Sequence, residues 1–166
     1  MENEKPLVGV VMGSVSDAEV MEGCVETLKN LLIPHEVRVL SAHRTPVQTR
    51  EYAELAQERG IHVIIAGAGW AAHLAGFFAA HTHLPVIGIP IDSSPLQGMD
   101  ALLSTVQMPP GIPVATVSLG RGGAINAAVL AAEILALKFP AIAGNLNAYR
   151  EGLTRKAVEK ATNWKS

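Results

Sequence analysis

Short β-branched runs alternate along this chain with helical patterns, and three of the runs end directly in clusters of glycine and polar residues. Val8-Gly9-Val10-Val11-Met12 leads into Gly13-Ser14-Val15-Ser16-Asp17, and Val37-Arg38-Val39-Leu40 leads into Ser41-Ala42-His43-Arg44-Thr45-Pro46. Val63-Ile64-Ile65-Ala66 leads into Gly67-Ala68-Gly69-Trp70-Ala71-Ala72-His73. Continuous apolar runs of this length read as strands covered on both faces, the habit of parallel sheets. Parallel neighbours need a crossover, which is nearly always right-handed, so strand–helix alternation confines the chain to an α/β sandwich. All strand ends then open on one edge, where such sheets bind ligands.

The periodicities place the remaining elements. Val20, Met21, Cys24, Val25, Leu28, Leu31 and Leu32 recur at helical spacing, with Ser16 and Glu19 as an expected capping box and Ile33-Pro34 as the stop. Thr45 as cap and Pro46 at the first helical position open a second helix that Gly60 closes. Strands are predicted over 61–66, 86–91 and 114–119, and helices over 71–81, over 96–106 and from Ala124 onward. Five strands with four intervening helices predict one domain over 1–166: a doubly wound parallel sheet, a flavodoxin-like or Rossmann-like three-layer sandwich. An extended C-terminal helical tail occupies 139–166.

Charged residues make up 17% of the chain, against roughly 25% in average soluble proteins, while apolar residues reach 49%. That surplus is expected to be buried between subunits, although a ligand cavity acts in the same direction. Small residues (Ala71, Ala72, Ala75, Gly76 and Ala79, then Ala124, Ala127, Ala128 and Ala131) would permit close approach of helices across such a boundary. The net charge of −2 gives no general nucleic-acid surface. Cys24 is the only cysteine, so an intrachain disulfide and a thiolate metal cluster are excluded, and it reads as a small hydrophobe. The start of the chain lacks the basic and apolar segments of a signal peptide, and the longest apolar helix, over 124–139, carries Asn126 and Glu133. A cytoplasmic protein with no membrane association is expected. Five basic residues (Arg150, Arg155, Lys156, Lys160, Lys165) against two acidic ones set 147–166 apart from an acidic body. With its approximate apolar stripe of Leu146, Tyr149, Leu153, Ala157, Ala161 and Trp164, this tail either docks on its own domain or, as the low charge favours, clasps a neighbouring subunit.

Each cluster has its own chemistry. Gly13 to Asp17 sits at a helix start, where free N–H groups favour phosphate; Ser14 and Ser16 add hydroxyls, and Asp17 can accept from ribose. Serine and aspartate are also ordinary caps. In the second cluster, an imidazole can donate and accept a proton near neutral pH, and Arg44 beside His43 offers a planar fork to phosphate or carboxylate. In the third, Gly67-Ala68-Gly69-Trp70-Ala71-Ala72 matches the G-x-G-x-x-G/A dinucleotide pattern, with Asp92 at the end of the next strand. An NAD-dependent oxidoreductase or a nucleotide-binding module is therefore an alternative, but it leaves His43-Arg44 unexplained and starts on the third strand. His73 either shapes this pocket or is an ordinary helix histidine. His35, His62, His81 and His83 form no convincing metal site.

Four ordered motifs resemble the PurE family of purine biosynthesis along essentially the whole chain: Gly13-Ser14-Val15-Ser16-Asp17, Ser41-Ala42-His43-Arg44-Thr45-Pro46, Gly67-Ala68-Gly69 with Ala71-Ala72-His73-Leu74, and Gln107-Met108-Pro109 with Gly111-Ile112-Pro113-Val114. The resemblance implies a role in IMP biosynthesis, with the N-carboxy form of aminoimidazole ribonucleotide as substrate and the 4-carboxy isomer as product. It makes His43 the catalytic acid and base. Substrate binding would fall to Ser14, Ser16, Asp17, Ser41 and Arg44, with Gly67, Ala68, Gly69, Ala72 and His73 around the carboxylate. It also implies an octamer with sites near subunit boundaries, and neither metal nor organic cofactor. A sister branch carboxylates aminoimidazole ribonucleotide directly and tends to carry lysine after the histidine, so Arg44 favours the mutase branch. Trp70 stands where that family usually has a second glycine, Ala75 where it usually has proline, and Val15 at a commonly polar position.

Overall fold

A computed structural model describes residues 5–164 of the chain. β1 (Val8–Met12), β3 (Val63–Gly69) and β4 (Val86–Ile91) form the middle of a five-stranded sheet and are buried along nearly their whole length. β2 (His35–Val39) is a partly exposed edge, and β5 (Ala115–Thr116) is a two-residue edge opposite. All neighbours pair in parallel in the order β2-β1-β3-β4-β5. This is the flavodoxin-like order, in which the winding reverses between β1 and β3 and a crevice opens at their carboxyl ends.

Side chains alternate across the sheet with the strand period of two. Val8, Val10 and Met12 face one core with Ile65, Ile87 and Ile89, under α1 (Ala18–Asn30) and α5 (Gly120–Ala136). Val11, Ile64 and Ala66 face the other, under α2 (Pro46–Leu55) and α3 (Leu74–His81), with Phe78 fully buried. α4 (Met99–Val106) covers that second face as well: Thr105 lies over Gly88, and a methyl on Gly88 would also come within 3.2 Å of Ala75.

Several boundaries differ from those expected. A 3-10 turn, Val15–Asp17, precedes α1, so the capping box is made by Ser14 and Asp17 instead of Ser16 and Glu19. β3 runs on through Gly69, because Gly67, Ala68 and Gly69 keep pairing with Ile89, Pro90 and Ile91 of β4. The glycines of the third cluster are therefore strand residues, and α3 begins only at Leu74. Pairing ends early at β5, and α5 starts at Gly120, where a φ of +68° turns the chain into the helix.

Most of the small residues have a different use from the one expected, although Ala71 stays exposed and Gly76 and Ala79 half-buried. Ala124, Ala127, Ala128 and Ala131 are completely buried within the chain, and Ala72 and Ala75 nearly so. The alanines of α5 let it approach α1 and the sheet, where a methyl on Gly23 would stand 3.0 Å from the Arg121 side chain, while Ala75 packs in the core on the opposite face. The tail forms α6 (Pro140–Thr162), opened by proline in the first turn. Its first half docks on its own domain through buried Ile142 and Leu146, a bond from Asn145 Nδ2 to the Leu31 carbonyl (3.0 Å) and an Arg150–Glu133 ion pair. Its second half exposes Leu153, Val158 and Trp164; Lys165 lies outside the described residues. Among the described residues no helix is long and apolar enough to cross a membrane.

Candidate active site

The reversal between β1 and β3 opens a cleft of about 490 Å³ whose walls come from all three polar clusters, a size typical of small-molecule sites. The first wall is the turn after β1. Ser14 Oγ accepts from the Ser16 N–H (3.3 Å) and from the Ser16 hydroxyl (2.9 Å), while the Ser14 N–H donates to Asp17 Oδ2 (3.0 Å). The turn is thus held shut from inside, with Asp17 only 6% exposed. Burial pushes the Asp17 carboxyl above its usual range; the Ser14 N–H and the Arg44 charge pull the other way and only partly offset it.

The second wall is the loop between β2 and α2. The Leu40 N–H donates to the Met12 carbonyl (3.0 Å), which ties this loop to the end of β1. Ser41 organises the rest. Its carbonyl accepts from the Thr45 N–H (2.9 Å) and from the Thr49 hydroxyl (3.2 Å), and its Oγ accepts from the Arg44 N–H (3.2 Å). Thr45 occupies the cap position of α2 but turns its hydroxyl to the Ser41 N–H (2.9 Å) instead of capping. Arg44 reaches over the first turn and donates from Nη2 to the Gly13 carbonyl (2.8 Å). One edge of its guanidinium is thereby fixed beside Ser14 and Asp17.

The third wall is the end of β3. Ala68, Gly69 and Trp70 line the cleft, together with Ser93 from the segment after β4, which no sequence motif had singled out. A methyl on Gly69 would collide with the Ser93 hydroxyl, so glycine there lets the two segments touch. Gly67 and Ala72 lie deeper. A methyl on Gly67 would strike Met21 across the sheet, and Ala72 is buried, so neither lines the cleft. His73 lies outside the lining but meets His43: His43 Nε2 and His73 Nδ1 are 2.9 Å apart, with the rings edge-to-face at 5.0 Å. One nitrogen must carry the shared proton, so each imidazole sets the other's tautomer. Both rings are exposed.

A wider hollow of about 820 Å³ lies at the opposite, amino end of β4. Among its polar groups, Arg50 pairs with Glu54 at 2.7 Å, and His81 Nδ1 bonds the Phe77 carbonyl at 2.8 Å. The carboxyl-edge cleft differs in gathering residues of all three polar clusters, with the His43 imidazole bonded to a second imidazole and with Arg44, Asp17 and the serine hydroxyls beside it. No three His, Cys, Asp or Glu side chains among the described residues group as metal ligands.

The sequence pattern of the AIR carboxylase family matches residues 7–156. A protein of Pyrococcus horikoshii described as N5-carboxyaminoimidazole ribonucleotide mutase is 55% identical over 161 residues, covering 97% of this chain and 90% of its own. A Bacillus subtilis protein of the same description is also 55% identical, covering 97% and 93%. The crystal structure of Treponema denticola PurE superposes with a TM-score of 0.86 at 31% identity, covering 97% of this chain and 99% of that one. With a matching family pattern over most of its length, relatives matched nearly end to end and a shared fold, the chain belongs to the AIR carboxylase family.

Proposed function

We propose that this chain is an N5-carboxyaminoimidazole ribonucleotide mutase, an isomerase that moves a carboxylate from nitrogen to ring carbon four of aminoimidazole ribonucleotide. The observation that carries the proposal is His43, bonded to His73 and standing beside Arg44 in the cleft, in a chain whose relatives at 55% identity bear that description. The same relatives favour the mutase over direct carboxylation and over the oxidoreductase alternative.

The residues divide the work as follows. Ser14, Ser16 and Arg44 hold the phosphate end, the guanidinium already oriented by Ser41 and the Gly13 carbonyl. Asp17 keeps one oxygen on the Ser14 N–H and offers the other to a ribose hydroxyl. Ala68 and Gly69, backed by Gly67 and Ala72, form the small-residue wall of the carboxylate pocket, with His73 next to it. His43 protonates the substrate as the nitrogen–carbon bond of the carbamate breaks and carbon dioxide is released. Ring carbon four attacks the retained carbon dioxide, and His43 then takes the proton from that carbon. One imidazole thus serves as acid and then base, and no proton is gained or lost over the cycle. Keeping both fragments in one cleft replaces an encounter between two molecules by a nearly unimolecular step. Neither a metal nor an organic cofactor enters this scheme.

The enzyme acts in the cytoplasm as a homo-oligomer, an octamer by family resemblance, with the distal half of α6 reaching a neighbouring subunit. Support comes from unpartnered apolar side chains. Met99, Leu103 and Val106 form an exposed stripe on α4, Leu96 and Ile112 are exposed on either side of it in the chain, and Leu153 and Val158 on α6 and Trp164 just beyond it lie bare. The deciding assay supplies purified protein with the labile carbamate and, separately, with aminoimidazole ribonucleotide plus bicarbonate. Turnover of the carbamate without dependence on bicarbonate is expected. Turnover only with bicarbonate would replace the mutase reading by the carboxylase.

A further inference from the structure

Among the described residues, three non-glycine residues have a left-handed backbone: Leu32 (φ +55°), Gln97 (φ +52°) and Trp70 (φ +54°). For a bulky residue this conformation is an outlier that persists only when something holds it, and such residues gather at functional sites. Leu32 and Gln97 have local reasons. Leu32 closes α1, where the Ile33 N–H reaches back to the Leu28 carbonyl (2.9 Å), and Gln97 completes a hydrogen-bonded turn onto Ser94 (3.0 Å) ahead of α4. Trp70 has neither reason. It ends no helix, its indole belongs to neither core cluster, and the residue is 60% exposed. Isolated exposed apolar residues are common and need no explanation. A strained tryptophan standing in the wall of the cleft, with His43 and Arg44 opposite, does.

The geometry points to Trp70 as the residue that selects for a planar heteroaromatic ligand: its indole is the stacking face against which the substrate's five-membered ring lies. This role rests on the proposed function and adds to it a specificity residue. Most of the other lining groups are small or polar, Leu74 is aliphatic and His43 carries the acid–base imidazole, so the indole alone among them offers an extended π-face. Extension of β3 through Gly69 delivers the side chain to the cleft rim, and the left-handed turn at Trp70 releases the chain toward Ala71 while the indole stays at that rim. Stacking holds the ring in place and takes part in no proton transfer, so its loss should fall chiefly on affinity and leave the proton steps to His43.

Trp70 and Trp164 are the only tryptophans, which permits a direct test. In a W164F protein the sole indole is Trp70, and titration with 4-carboxy-aminoimidazole ribonucleotide should quench it saturably, with the Kd that calorimetry gives. W70G places glycine where a left-handed backbone is unstrained, so the protein should fold. Its Kd for the nucleotide should rise about tenfold, the worth of a lost aromatic stack, with kcat near wild type. W70F should restore binding. Nucleotide that binds calorimetrically yet leaves Trp70 emission unmoved, or a W70G protein with unaltered Kd, would overturn the stacking role and spare the mutase reading. Absence of both binding heat and turnover in the wild-type protein would overturn the mutase reading and the stacking role with it.

Discussion

Glycine and alanine crowd two regions of this molecule, the seam between α1 and α5 and the cleft at the carboxyl edge of the sheet, and they do opposite things there. In the seam and where it continues at the start of α5, Gly23, Gly123 and the alanines of α5 remove side chains so that two helices, the sheet and the turn before α5 can close on one another. Its buried surface is largely apolar, and the contacts of Arg121 with Glu22 and Glu26 lie at its exposed rim. In the cleft, Gly13 and Gly69 clear space beside groups that packing does not satisfy: exposed His43, Arg44, Trp70 and Ser93. Alike in composition, one region is tuned for density and the other for access. Substitutions in the first should therefore move stability, and in the second, activity.

The largest effect expected is on His43. His43→Asn should lower turnover by about 10²–10⁴-fold, the usual worth of a general acid–base group, with an unchanged melting temperature, because the ring lies outside both cores. A variant retaining more than about a tenth of wild-type turnover would remove His43 from the chemistry. Next comes Arg44→Ala, which deletes a charge-assisted phosphate contact worth roughly 1.5–3 kcal/mol. Calorimetry with the product nucleotide should show affinity weakened about 10–100-fold. Arg44→Lys should recover little of it, since a point charge cannot both hold the Gly13 carbonyl and present a fork. Unaltered affinity would place the phosphate elsewhere.

Gly123→Ala probes the seam from the opposite side. Alanine is favoured over glycine in a helix by roughly 0.5–1 kcal/mol. Its methyl, however, would overlap the Ser118 carbonyl, a backbone atom that cannot rotate away, and such overpacking costs typically 1–3 kcal/mol and occasionally more. A net loss of about 2 kcal/mol should lower the melting temperature by roughly 4–8 °C, with KM unchanged at low temperature. A protein as stable as wild type would show that the seam has slack.

Much of this division was legible in the residues, and the failures share a cause. Apolar periodicity placed β1 and β4 to the residue and gave the doubly wound sheet, because buried parallel strands carry an unbroken signal. Gly67-Ala68-Gly69 looked like a loop, since glycine has no strand preference of its own; its pairing with β4 is decided by the neighbouring strand. The alanines of α5 were assigned to a subunit boundary because composition cannot say which partner a small residue serves. His43, Arg44, Ser14 and Asp17 converge as their motifs implied, whereas Ser93 carried no signal: it enters the cleft only because Gly69 lets its segment approach. The His43–His73 contact spans 30 residues; spacing alone left His73 as either a pocket residue or an ordinary helix histidine.

The smallest expected effect falls where the two regions overlap, at Asp17, a cleft residue buried like a core one. Burial raises its carboxyl above the ordinary aspartate value of 3.8, over the opposing pull of the Ser14 N–H and Arg44. In the window between 3.8 and that raised value the folded protein binds more protons at this site than the unfolded chain. Stability from this residue therefore falls as pH climbs through the window and stays at its lower level above it. Asparagine keeps a carbonyl oxygen for the Ser14 N–H and removes the charge. Asp17→Asn should hence melt no lower than wild type at neutral pH, with any gain closing as pH drops toward 3. The same variant should bind the ribonucleotide more weakly, because the amide is a poorer acceptor for a ribose hydroxyl than a carboxylate. Thermal scans from pH 3 to 8 paired with calorimetry would check both halves. A wild-type protein that outlasts Asp17→Asn at neutral pH, and loses that lead on acidification, would mean that Asp17 is held by its partners like a structural cap, and the line drawn between cleft and seam would have to exclude it.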